Sequence, residues 1–178
     1  MSAAVLEALW AAGEARFAAE LGFLFEHSPW VTARAYREGP FSDPAALIAA
    51  CGSVLKAASD AERLALIRAH PEPAGKAFIA GTLTASSAAE QTSAGLDRLT
   101  PEAFERFHAL NAAYRERFDF PFIICVRLND TESIFAALEA RARNTREAEV
   151  AAALVEIRHI ARLRLDDYLT ARSGQDAS

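Results

Sequence analysis

Large apolar residues recur along this chain at three- and four-residue steps instead of alternating, the signature of helices that bury one face. From Val5 to Phe25 the series Leu6, Leu9, Trp10, Phe17, Leu21 and Leu24 predicts a single first helix. Ser28 followed by Pro29 predicts a second start, and Gly39 with Pro40 its end. Ser42 and Pro44 open a helix through Leu47, Ile48, Val54 and Leu55. Ser59 and Glu62 form a capping box for a fourth helix that runs toward His70 and is cut by Pro71. Residues 71–86, with Pro71, Pro73, Gly75 and Gly81, read as a long irregular loop. Ser87 and Glu90 repeat the capping-box spacing and predict a helix ending near Gly95. Thr100 and Pro101 then open a long helix with Phe104, Phe107, Asn111, Tyr114 and Phe118 on one side.

The stretch from Phe118 to Val126, FDFPFIICV, breaks the helical pattern. It is apolar and aromatic, and Pro121 at its centre disfavours a central strand, so it reads as extended and buried. Asp130 or Thr131 caps a helix through Ile134, Phe135 and Leu138, and Asn144 with Glu147 caps the last one, which carries Val150, Leu154, Ile157, Ala161 and Tyr168. The polar tail from Ser173 is expected to fray, and no internal repeat is visible. The expectation is an all-α, single-domain multi-helix bundle over residues 1–178, ordered from about 5 to 170, with one long irregular loop and one extended apolar segment.

Composition narrows this picture without supplying a function. The chain has 178 residues and is 52% hydrophobic, enough for one domain that buries roughly 70% of its unfolded surface. Its 41 alanines favour helix, and 17 of its 19 basic residues are arginines, a bias that codon usage explains for most of them. The net charge of -5 gives no basic footprint for nucleic acid. Two cysteines, Cys51 and Cys125, are too few for a disulfide framework, and the N-terminus carries no signal peptide, so a reducing cytoplasm is expected. No run of about 18 apolar residues is present to span a membrane.

A few residues stand outside the periodicity. At about 100° per residue, Arg164 falls within about 40° of the line through Val150, Leu154, Ile157, Ala161 and Tyr168. A buried guanidinium there needs a carboxylate, carbonyls or a bound anion; at the edge of the stripe it would instead snorkel to water. Arg162 lies off that line and reads as solvated. His70, at the mouth of the irregular loop, is either a general acid or base or a histidine interacting with a helix C-terminus. Glu90 is either a site carboxylate or the reciprocal half of its capping box. His27, His108 and His159 show no metal-ligand spacing, and no glycine-rich phosphate loop or nucleophile elbow occurs, so neither metal nor nucleotide cofactor is expected. Tyr114 and the phenylalanines around it read as core.

Taken together, a set of short motifs in order resembles one family. They are Glu26-His27-Ser28-Pro29-Trp30, His70-Pro71-Glu72, Ser87-Ala-Ala-Glu90-Gln91, Ala94-Gly95-Leu96, Leu110-Asn111 with Tyr114, Phe120-Pro121-Phe122-Ile123, and Glu156-Ile157 with Ile160 and Leu163-Arg164-Leu165. The family is that of 2-oxo-4-hydroxy-4-carboxy-5-ureidoimidazoline (OHCU) decarboxylase, which acts last on the route from urate to allantoin. The resemblance implies an all-helical, cofactor-free enzyme, typically a homodimer, that releases CO2 stereoselectively to give (S)-allantoin. It implies catalytic roles for His70, Glu90 and Arg164, and substrate contacts from Pro71, Ser87, Glu90, Gln91, Arg164 and the backbone of Phe122, Ile123, Ile124, Cys125 and Val126. The family usually has a Leu where this chain has Pro73. Under this resemblance the anion that Arg164 needs is a substrate carboxylate or Glu90. The competing classes are a non-catalytic helical module that binds a small anion, and a hydrolase of a neighbouring ureide using His70 and Glu90 on water.

Overall fold

The structure, a computed structural model, describes residues 2–74, 80–93 and 95–175. These residues form nine α-helices with short 3-10 turns between some of them and no strand among the described residues, as the helical periodicity predicts. They fall into two compact units, Met1–Ala69 with Arg158–Ser178, and His70–Ile157. No described helix is long and apolar enough to cross a membrane.

In the first unit the predicted first helix is two helices, α1 (Ser2–Ala11) and α2 (Glu14–Leu21), followed by a 3-10 turn over Gly22–Leu24. The break is at Gly13, whose φ of 94° and ψ of 163° suit only a residue without a Cβ. The hydrophobic phase survives the break, because Leu6, Phe17, Leu21 and Leu24 are all fully buried. Helix α3 (Trp30–Ala35) starts one residue later than Ser28 and Pro29 suggested, with Pro29 itself at the N-cap. At its end a Cβ on Gly39 would lie 2.5 Å from Trp10 Nε1, so only glycine fits beside the stacked Trp10 and Tyr36 rings. Helix α4 (Pro44–Ala57) is capped by Asp43, not Ser42: its carboxylate accepts from the Ala45 N–H at 2.8 Å.

Helix α5 (Asp60–Ala69) carries the predicted capping box. The Glu62 carboxylate accepts from the Ser59 N–H and hydroxyl, both at 2.9 Å, and the Ser59 hydroxyl oxygen accepts from the Glu62 N–H at 3.3 Å. The Arg34 guanidinium, followed by the Ser59 donors, lowers the Glu62 carboxyl to about 2.

In the second unit helix α6 (Ala85–Ser93) begins two residues before Ser87. Thr84 caps it, its side-chain oxygen accepting from the Ser87 N–H at 3.3 Å and its carbonyl from the Ala88 N–H at 2.9 Å. The predicted Ser87–Glu90 capping box is therefore replaced by a Thr84 cap: Ser87 occupies the third helical position, and Glu90 lies further along the helix. Of the loop expected over 71–86, residues 75–79 lie outside the described residues. Helix α7 (Pro101–Phe118) has the predicted Thr100 cap and Pro101 start, with Phe107, Asn111, Tyr114 and Phe118 buried. Asp130 caps α8 (Thr131–Arg141).

Helix α9 (Arg146–Gln175) gives its residues up to Ile157 to this unit and the rest to the first. Its cap is Thr145, whose hydroxyl oxygen accepts from the Ala148 N–H at 3.2 Å, in place of the expected Asn144. The aromatic core of the second unit gathers on Tyr114, whose ring centroid lies 4.5 Å from Phe118, 6.1 Å from Phe120 and 5.3 Å from Phe122.

Candidate active site

Pro71 lacks an N–H and disfavours helical backbone in the residue before it, so α5 stops and His70 is left at its end. His70 is 3% exposed. The residues after it are held in place group by group. The Gln91 amide of α6 accepts from the Ala74 N–H at 2.8 Å and donates to the Glu72 carbonyl at 3.3 Å. Asn111 of α7 donates to the Pro73 carbonyl at 3.1 Å, and Arg115 donates to the Glu72 carboxylate at 3.2 Å. Pro73, where the resemblance expects Leu, is thus buried with its carbonyl bonded, and the turn beyond it is closed by Ala74 at a φ of 49°. Ser87 and Gln91, one helical turn apart on α6, are both buried, and Glu90 between them is half-buried.

Residues Phe122 to Cys125 lie outside any helix and are buried, with Cys125 extended. The stretch expected to run extended from Phe118 to Val126 is shorter at both ends, because Phe118 closes α7 and Val126 opens a 3-10 turn over Val126–Leu128. In an extended chain the N–H and C=O of alternate residues point to opposite edges. On one edge the Ile123 carbonyl accepts from Arg141 at 2.7 Å and the Cys125 N–H donates to Glu156 at 2.8 Å, while the Cys125 carbonyl turns into the following 3-10 segment and accepts from Asn129 and from the Leu128 N–H, both at 3.0 Å. On the other edge the N–H and C=O of Ile124 take no hydrogen bond among the described residues, although Ile124 is only 6% exposed. Such a donor and acceptor, side by side and buried, suit an amide-like ligand.

Burial, and then the Glu156 and Glu90 carboxylates, push the Cys125 thiol up to about 11. Glu90 therefore lies near this segment, and Cys125 stays a thiol that is no nucleophile at neutral pH.

Arg164 belongs to the first unit and is 4% exposed. It does not snorkel. Its guanidinium donates to the carboxylate of Glu26, itself 3% exposed, at 2.9 Å, and to the Phe23 carbonyl at 3.1 Å. Of the partners that a buried Arg164 could take, the structure shows a carboxylate, from the Glu26-His27-Ser28-Pro29-Trp30 motif, and a carbonyl, from Phe23. Arg162, off the stripe, pairs with Asp166 at 2.9 Å in a half-exposed position. Among the described residues no three His, Cys, Asp or Glu side chains form a metal-ligand group.

Four charged residues carry structure that the sequence did not announce. Glu26 was visible only as part of a motif, and Arg141 and Glu149 sit among other charges near helix ends with nothing to mark them. Glu156 belonged to a quoted motif, but its contact with Cys125 joins residues 31 apart.

A buried histidine at a proline-terminated helix and a carboxylate-bearing helix beside a buried apolar segment fit an enzyme acting on a small molecule. The family model for OHCU decarboxylase matches residues 11–166, and the chain belongs to that family. The chain is 38% identical over 174 residues to the 2-oxo-4-hydroxy-4-carboxy-5-ureidoimidazoline decarboxylase of Halalkalicoccus jeotgali, covering 98% of this chain and 97% of that protein. It is 37% identical over 152 residues to the mouse protein of the same name, covering 85% of each. It also matches 30% of the uric acid degradation bifunctional protein of Bacillus subtilis, at 40% identity over 84% of this chain. A crystal structure of (S)-allantoin synthase superposes with a TM-score of 0.70 at 29% identity, covering 92% of this chain and 53% of that one.

Proposed function

We propose that this protein is a carboxy-lyase that converts 2-oxo-4-hydroxy-4-carboxy-5-ureidoimidazoline to (S)-allantoin and CO2 in urate breakdown. The observation that carries the reading is the family match over residues 11–166, which includes every candidate site residue from His70 to Arg164. In the reaction the bond from the ring carbon to the carboxylate breaks. Its electron pair forms a double bond to the neighbouring ureido-bearing carbon while the imine electrons move onto the ring nitrogen, which takes up a proton. CO2 leaves, the hydroxyl gives up its proton as its carbon becomes the ring carbonyl, and a proton is added to the ureido-bearing carbon on one face. The substrate is its own electron sink, so the protein's tasks are to hold the carboxylate out of the ring plane, offset developing charge and direct one proton.

His70 is assigned the proton exchange with the substrate hydroxyl or carbon, supported by its burial at a rigidly held turn. Glu90 fixes the imidazole or binds ring nitrogens, supported by its nearness to the extended segment. Pro71, Ser87, Gln91 and the 122–126 backbone contact the substrate, the last supported by the open Ile124 peptide groups. Arg164 is assigned, on the resemblance, to orienting the substrate carboxylate. We further assign a homodimer on that resemblance, and a cytoplasmic location in keeping with the two free thiols.

The test is to supply freshly generated urate-oxidation product and follow CO2 release together with circular dichroism as allantoin forms. An accelerated reaction that yields the (S) enantiomer is expected. Racemic allantoin at the spontaneous rate overturns the decarboxylase reading.

A further inference from the structure

The decarboxylase reading leaves Arg141, Glu149 and Glu156 without a task, yet all three act on the segment that it makes substrate-binding. Glu149 is fully buried, a position a carboxylate holds only when its oxygens are satisfied. It accepts from the Tyr114 hydroxyl, from Asn144 at 2.7 Å and from Arg141 Nε at 3.0 Å. These bonds fix the Arg141 guanidinium, which donates onward to the Ile123 carbonyl and lies 4.6 Å from the centroid of the Phe122 ring. Two residues further along, Glu156 accepts from the Cys125 N–H at 2.8 Å.

The two contacts fall on the same edge of an extended chain, so together they set the rotation of the backbone between them. What that rotation governs is the direction of the Ile124 N–H and C=O. We propose that Arg141, braced by Glu149, and Glu156 are positioning residues of the substrate site: they clamp the 123–125 backbone so that the Ile124 N–H and C=O meet the ureido or ring amide groups of the substrate. The proposal rests on the decarboxylase reading. Its consequence is kinetic: a grip on the amide groups is the same in ground and transition states, so loosening it weakens binding with little effect on turnover.

The experiment measures KM, kcat and Tm for the wild type, Glu156→Ala, Glu156→Gln and Arg141→Lys, with (S)-allantoin affinity by calorimetry as a second readout. Glu156→Ala is expected to raise KM and weaken (S)-allantoin about tenfold or more, with kcat within about threefold of wild type. Glu156→Gln keeps an acceptor oxygen for the Cys125 N–H and is expected to stay within about threefold in KM. Arg141→Lys loses the fork that spans Glu149 and Ile123, and is expected to raise KM about tenfold; it carries the test if Glu156→Ala fails to fold.

Wild-type KM in Glu156→Ala or in Arg141→Lys overturns the proposal, as does a Glu156→Gln variant as weak as Glu156→Ala. A wild type that releases no CO2 overturns the decarboxylase reading, and the proposal with it, before any variant is compared.

Discussion

The Glu26–Arg164 pair offers the sharpest thermodynamic test. Both side chains are almost wholly buried, and their charged atoms lie 2.9 Å apart. Replacing Glu26 by Gln or Arg164 by Met removes one charge of the pair and takes this ionic partner from the other in a low-dielectric interior. The expected cost is about 3 to 5 kcal/mol for either single change. For a chain of 178 residues, about 2 to 4 °C per kcal/mol converts this to a Tm loss of roughly 6 to 20 °C. A solvent-exposed pair would give under about 1 kcal/mol, so the magnitude alone separates a buried pair from a surface contact.

The Glu26→Leu/Arg164→Met double variant removes both charges of the pair together, and its loss should fall well short of the summed single losses, with a coupling of about 1 to 3 kcal/mol. Urea and thermal melts of the four proteins close the cycle. Single variants within about 1 kcal/mol of wild type, or strictly additive losses, would refute the buried-pair reasoning. Michaelis constants measured on the same proteins ask separately whether Arg164 also binds substrate.

His70→Asn is expected to lower turnover by about 10² to 10⁴-fold with an unchanged melting temperature, and near-wild-type single-turnover rates would remove His70 from the chemistry. Thr84→Ala should cost about 0.5 to 2 kcal/mol as a lost cap of α6, a cost that Ser87→Ala, inside the helix, should not show through capping; equal losses measured by urea melts would contradict the Thr84 start. The Glu62 carboxyl is depressed from 4.5 to about 2 in the folded protein. Its stabilising effect is therefore fully present above pH 4.5 and disappears as pH falls toward 2. Glu62→Gln should accordingly be less stable than wild type at neutral pH, with the two Tm curves converging as pH is lowered to 2; a constant gap across that range would show that the charge is irrelevant.

Hydrophobic periodicity located the helices well because burying one face is a repeated, local constraint: Leu6, Phe17 and Leu21 keep their phase even across the Gly13 break. Caps were read less well. Several polar residues precede each helix, and the structure uses Asp43 over Ser42, Thr84 over Ser87 and Thr145 over Asn144. The shift to Thr84 bears on function, since it takes Glu90 out of a capping position.

Arg164 was legible because a charge on an apolar stripe requires a partner, but periodicity could not say that the partner stands 138 residues away at Glu26. The same limit hid Glu149, whose burial follows from three separate donors. Pattern reveals which residues conflict with their own helix. Contacts assembled from distant segments become visible only in the fold.

Each unit also carries one free, buried thiol: Cys51 is fully buried in the first, and Cys125 is 1% exposed in the second. Burial raises Cys51 to about 12 and Cys125 to about 11, so neither reacts until its surroundings open. Alkylation of the native protein thus becomes a pair of clocks, one per unit. Under fast reclosing, the labelling rate at each cysteine reports the opening free energy of its own surroundings. Mass spectrometry of the two cysteine peptides would read both from a single sample, and would tell whether ligand slows one clock or both.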